Sequence, residues 1–147
     1  MTWIKPFPDK AITGHYGTLS EYRRKNGMQP HSGTDWAAKA GTPIPAIANG
    51  TIVGIFESKI LGHVLVQRVM DKNKKVLFIG YCHLHKKPTL KEGDKVKAED
   101  PIALVGNTGS ASSGPHLHAT LSKTLKGVFG TTDQKSDLFK AIEENSK

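Results

Sequence analysis

Glycine and proline set the limits on what this chain can become. Fifteen glycines and eight prolines among 147 residues interrupt it too often for long helices, because these are the two residues that most weaken a helix interior. The pieces between them read as strands. Residues 51–56, 64–69, 76–81, 102–105 and 116–121 carry the β-branched or alternating character of half-buried extended segments. Asp71, Lys72, Asn73 and Lys74 form a polar hairpin loop between two of them. Only the tail reads as helical: Ser136 can cap a segment of about 136–145 whose Leu138, Phe139 and Ile142 share one side. That side is expected to pack on the sheet. The expected fold is mainly β, antiparallel, with a short C-terminal helix.

A hydrophobic content of 37% over 147 residues suffices for one core, so a single domain over 1–147 is expected. Apolar runs such as 76–79 fall far short of the roughly 20 residues that span a bilayer. The first ten residues lack the apolar core of a secretion signal, so no membrane insertion and no signal peptide are expected. Cys82 is the single cysteine, which rules out an intrachain disulfide and leaves packing, with a bound metal, to hold the fold. With 21 Lys and Arg against 13 Asp and Glu, the net charge of +8 favours anionic polymers as partners. The basic residues are scattered and surround no nucleic-acid module, so nucleic acid is not expected.

The chemistry concentrates in Gly114-Pro115-His116-Leu117-His118 and Pro30-His31-Ser32-Gly33-Thr34-Asp35. Strand residues two apart point to one face, so His116 and His118 can reach into one site. With one of them, another imidazole and a carboxylate, for which His31 and Asp35 stand ready, would complete the three protein ligands of a zinc site with a fourth position open. Pro30, Gly33 and Thr34 indicate a turn entering a strand around them. A second pair, His83 and His85, obeys the same alternation, so spacing alone leaves open which histidines touch metal. His15 and His63 default to structural roles. Adjacent strand residues face opposite ways, so Cys82 and His83 are expected to diverge, with Cys82 a buried, inert thiol. There is no His-Glu-x-x-His, no phosphate loop and no nucleophile elbow. A hydrolase built on these residues must use a histidine to assist water.

These residues resemble the lysostaphin/LytM-type zinc metallopeptidases, which cut peptide bonds in peptidoglycan. His31-Ser32-Gly33-Thr34-Asp35 is similar to that family's His-x-Gly-x-Asp, Tyr81-Cys82-His83-Leu84 to its Tyr-x-His-Leu, and the Thr108 to His118 stretch to its Thr-Gly loop ending in His-Leu-His. The likeness runs over about 14–122 and includes Gly41-Thr42-Pro43, Asn49-Gly50-Thr51 and Glu92-Gly93-Asp94-Lys95-Val96. It implies an antiparallel β fold with a groove, one Zn²⁺ held by His31, Asp35 and His118, and His83 and His116 as catalytic residues beside it. His85 falls outside the motif, on the surface. Tyr16 is a substrate-binding candidate lining the groove. The sequence departs from the family after His118, where Ala119-Thr120 stand in place of an aromatic followed by an acid or amide.

The resemblance further implies a monomeric endopeptidase acting at the bacterial cell wall on peptidoglycan peptides, with anionic cell-envelope polymers as further partners. Without a signal peptide or a wall-binding domain, the chain reads as a compact phage-type endolysin released by a holin-like partner. A directly cross-linked wall is the favoured substrate over glycine bridges. Two rivals stand beside this reading. A noncatalytic LytM-like regulatory or binding module would have no use for the full ligand set. A biotinyl/lipoyl-like carrier, suggested by Glu92 to Val96, would leave the histidines without a role, and Lys95 reads more simply as a solvated turn lysine.

Overall fold

A computed structural model of the chain describes residues 2–131 and 134–146. Among these residues ten strands form two antiparallel sheets: β1 (Ile12–Gly14), β2 (Thr34–Ala37), β3 (Pro43–Pro45), β4 (Gly50–Ser58), β5 (Gly62–Met70), β6 (Val76–Leu84), β7 (Lys95–Val96), β8 (Pro101–Leu104), β9 (His116–Ser122) and β10 (Lys135–Ser136). The large sheet runs β1-β2-β9-β6-β5-β4-β7, with β10 paired to β9, and β3 and β8 form a separate ribbon. The five sequence-predicted strands are present, with ends shifted by up to three residues. The predicted hairpin loop at 71–74 closes through Asp71, whose Oδ1 accepts from the backbone N–H groups of Asn73 and Lys75, each at 2.9 Å.

Each strand of the large sheet separates an inner from an outer face. On β9 the inner set is Leu117, Ala119 and Leu121, which join Trp36, Tyr81, Leu65 and Ile52 in the main core. Ile44 and Ile102 from the ribbon, Trp3 from the N-terminal segment, and Leu138 and Ile142 from the tail close that core from the other side. A buried chain of hydrogen bonds ties it together. The Ile47 N–H donates to the Tyr81 hydroxyl at 3.0 Å, that hydroxyl donates to Gln67 Oε1 at 2.7 Å, and Gln67 Nε2 donates to the Ala48 carbonyl at 2.6 Å. The polar tip of Tyr81 is thereby satisfied where an unpaired hydroxyl would be costly.

Two helical expectations need correction. The tail helix is α2 (Leu138–Asn145), and its cap is Asp137, whose side chain accepts from the Lys140 N–H, while Ser136 belongs to β10. Ser136 loses the cap because pairing with Leu121 keeps it extended and the carboxylate one residue on caps equally well. The tail is also not the only helix. α1 (Glu21–Lys25) is a five-residue helix capped by Ser20, and a 3₁₀ turn covers Lys126–Phe129. Neither carries the apolar periodicity by which a helix is read from sequence. No helix among the described residues is long and apolar enough to cross a membrane.

Candidate metal centre

The site lies on the outer face of β9. Asp35 on β2 and Cys82 on β6 are the direct cross-strand partners of His118, so an acid, an imidazole and a thiol form one row across three strands. His31 enters from the loop preceding β2. Its N–H donates to the Thr18 carbonyl at 2.9 Å, its carbonyl accepts from the Gly17 N–H at 2.8 Å, and its Nδ1 meets the His15 carbonyl at 3.1 Å. The expected turn into a strand is there, and its backbone holds the ring in place.

His31, Asp35 and His118 bring one ligand atom each to within 4.8 Å of the others. His31 Nε2 lies 3.1 Å from Asp35 Oδ2, and His118 Nδ1 lies 2.7 Å from Asp35 Oδ1. The His31 contact is informative. A carbonyl only accepts, so Nδ1 of His31 donates a ring proton and Nε2 is the ring atom that faces the carboxylate. In a neutral ring that atom is an acceptor facing another acceptor, a contact that a proton or a metal ion between them resolves. Ligand atoms about 2.0–2.1 Å from a tetrahedral zinc would stand about 3.3 Å apart. The His31–Asp35 spacing is close to that value and the His118–Asp35 spacing is shorter, and two imidazoles with a carboxylate are a donor set that suits zinc. Gly14 makes room for the carboxylate: a Cβ there would stand 2.7 Å from Asp35 Oδ2.

Burial opposes ionisation of Asp35, yet hydrogen bonds from His118 and His31 outweigh it and hold the carboxyl well below its usual range. Burial pushes the His118 imidazole down, against the pull of Asp35. His83 is pushed down to about 4, chiefly by burial, with the Thr108 hydrogen bond opposing and the neighbouring imidazoles adding to the shift. A metal centre needs such neutral rings and such an ionised carboxylate.

His83 and His116 stand beside the triad. Their ring centroids are 5.0 Å apart, and the His83 ring is 5.8 Å from that of His118. His83 Nδ1 meets the Thr108 carbonyl and His116 Nδ1 the Gly114 carbonyl, each at 2.7 Å. By the same reasoning both rings donate from Nδ1, which in a neutral ring leaves Nε2 as the acceptor. His116 Nε2 is 3.8 Å from Asp35 Oδ1, so this free nitrogen faces the centre.

His83 arrives there against simple strand alternation, which had set it apart from Cys82. Strict alternation would send it to the face opposite Cys82, but its φ of 60° places it in the left-handed region, and the pairing of β5 with β6 shifts between His63↔Leu84 and Leu65↔Tyr81. This bulge spends one residue without changing face. Tyr81 and Leu84 therefore both enter the main core, while Cys82 and His83 both turn outward. Cys82 is buried beneath the site among Val64, Val66 and Val128, and burial pushes its thiol up to about 12, as befits an inert group. Of the remaining histidines, His15 and His85 are exposed, and His63 is half-buried with Nε2 3.7 Å from Glu57. Tyr16 is half-buried and its hydroxyl donates to the Lys135 carbonyl at 3.1 Å. Thr108, Gly14 and Lys135 were not singled out from sequence as site residues. Only Thr108, within the Thr-Gly loop, carried a local signal.

The profile of peptidase family M23 matches residues 29–130. The chain belongs to peptidase family M23. The peptidoglycan DD-endopeptidase ShyB of Vibrio cholerae is 33% identical over 113 residues, 75% of this chain and 25% of that protein. The catalytic domain of lysostaphin, the antimicrobial peptidase of Staphylococcus simulans, superposes with a TM-score of 0.74 at 28% identity, covering 92% of this chain and 93% of that one. A zinc-containing peptidase from Vibrio cholerae gives a TM-score of 0.75 at 26% identity, covering 97% of this chain and 40% of the other. The chain spans about a fifth to a quarter of the curated M23 relatives it matches first.

Proposed function

We propose that this M23 chain is a zinc-dependent endopeptidase that hydrolyses the peptide cross-links of bacterial peptidoglycan. One observation carries the reading: three ligand atoms of two imidazoles and a carboxylate converge within 4.8 Å of one another, and two further imidazoles stand alongside. His31, Asp35 and His118 would hold the ion. When bound, zinc supplies Lewis-acid polarisation of the scissile carbonyl and a water whose pKa falls from about 15.7 toward roughly 7.

The remaining work belongs to His83 and His116. Each is locked by an Nδ1–H donated to a backbone carbonyl, so each offers Nε2 as the basic atom. A ring in that state takes a proton from the attacking water, and the imidazolium so formed donates to the developing oxyanion or to the departing amine. Help of this kind is worth about 10²- to 10⁴-fold. Tyr16 is taken as a substrate contact in this reading. The net charge of +8 favours approach to anionic wall polymers, and the same reading takes the protein as a monomeric phage-type lysin that reaches the wall through a holin-like partner. A noncatalytic LytM-like module is disfavoured by the complete ligand and base set.

The test is digestion of purified sacculi followed by mass spectrometry of the released muropeptides, with and without a chelator. Loss of cross-linked dimers that stops on chelation and returns with added zinc is the expected result. Digestion that continues after exhaustive chelation, or no digestion by the zinc-loaded protein, would overturn the proposal.

A further inference from the structure

β10 sets Lys135 directly opposite Ser122 on β9, and opposite residues share a face. Ser122 follows Thr120, His118 and His116 along the outer side of that strand, so the lysine stem runs over the same surface as the metal centre. Its Nζ reaches Ser32 Oγ at 3.4 Å, one residue after the ligand His31. Its carbonyl accepts from the Tyr16 hydroxyl at 3.1 Å, which fixes the backbone there. The charge is close enough to act on both the His118 ring and the Cys82 thiol.

Lys135 is half-buried, and burial pushes its ammonium pKa down. Among the described residues no carboxylate lies within 4.0 Å of Nζ. Thr120, on the same face, carries a hydroxyl already committed to the Ser32 carbonyl at 2.8 Å. An ammonium partly withdrawn from water and without a counter-charge is unfavourable, and an arriving carboxylate would give it a charge-assisted hydrogen bond.

We propose that Lys135 Nζ is a binding position for a substrate carboxylate, and that it selects direct D-alanyl–diaminopimelate cross-links over glycine bridges. In a direct cross-link the carbon attached to the scissile nitrogen bears a free carboxylate. A glycine bridge has no charged group near its scissile bonds. An ammonium beside a ligand loop is placed to sense that difference. This inference rests on the wall-peptidase reading and names its substrate class.

Two synthetic cross-linked peptides, identical except that this carboxylate is free in one and amidated in the other, test it with the zinc-loaded protein. Wild type is expected to favour the acid by at least about tenfold in kcat/KM. K135M should bring that ratio toward one and K135R should retain part of it, with both variants keeping the wild-type Tm to within a few degrees. Calorimetry with free diaminopimelate-containing product and its amide should show the same loss of preference in K135M without turnover. A preference that survives in K135M, or a K135M defect equal on both peptides, overturns the proposal. Cleavage of glycine bridges but neither peptide also overturns it while leaving the wall-peptidase reading intact. A wild-type protein that cleaves no wall peptide overturns both.

Discussion

β9 and β6 each deliver histidine to the same centre, and they do it by different means. On β9 the backbone is regular: Leu117, Ala119 and Leu121 go inward, while His116 and His118 go outward. On β6 the backbone breaks its rhythm at His83, whose left-handed φ of 60° turns outward a ring that alternation would bury. Backbone in that region is uncommon for a residue other than glycine and persists only where its surroundings enforce it. At His83 the enforcement is visible, with its N–H donated to the Leu61 carbonyl at 2.8 Å and its Nδ1 to the Thr108 carbonyl at 2.7 Å. The proposed ligand His118 thus sits on regular backbone with His116, and His83 on backbone that depends on a neighbouring loop.

The largest effect should come from the proposed ligands, on the regular strand and in the loop before β2. His118→Ala or His31→Ala is expected to weaken zinc affinity by more than the roughly 10- to 100-fold that losing a mere supporting partner costs, and to abolish activity. Metal analysis after dialysis checks it, and a full equivalent of zinc in either variant would remove that residue from the ligand set. Next, His116→Ala and His83→Ala should keep zinc and lower kcat by about 10²- to 10⁴-fold, separating proton transfer from metal binding. A smaller effect probes the loop. Thr108→Val deletes the hydroxyl that donates to the Leu84 carbonyl at 2.6 Å and accepts from the His63 N–H at 3.1 Å. It should cost about 1–3 kcal/mol in denaturant unfolding and reduce kcat while zinc stoichiometry holds. If stability and kcat are both unchanged, the bulge does not depend on this loop. Smallest of all, Cys82→Ala should cost about 1 kcal/mol and leave metal content and turnover as they are. Rapid alkylation of Cys82 in the native protein would contradict its buried state.

The same contrast explains what could be read in advance. Alternation of apolar and polar residues from 116 to 121 specified both faces of β9, because a period of two is a property of regular backbone. The turn at Pro30 and Gly33 and the polar loop at 71–74 were legible through residues whose backbone preferences are strong. His83 was brought to the site by its family motif and not by pattern, since a bulge is decided by the register of β5 against β6 and leaves no local trace in Tyr81-Cys82-His83-Leu84. Lys135 was invisible for a related reason. Its meaning comes from pairing with Ser122, thirteen residues earlier in the chain, and a two-residue strand is too short to show any period. α1 escaped notice because it buries no residue, so no apolar stripe marks it.

The missing Cβ at Gly14 carries a lesson for mutational tolerance. Residue 14 donates no atom to any reaction, yet even a methyl group there would press on the oxygen of Asp35 that faces His31. In a saturation library scored for wall lysis, this position should tolerate replacement about as poorly as the ligands, and the motif that marks those ligands begins seventeen residues further on.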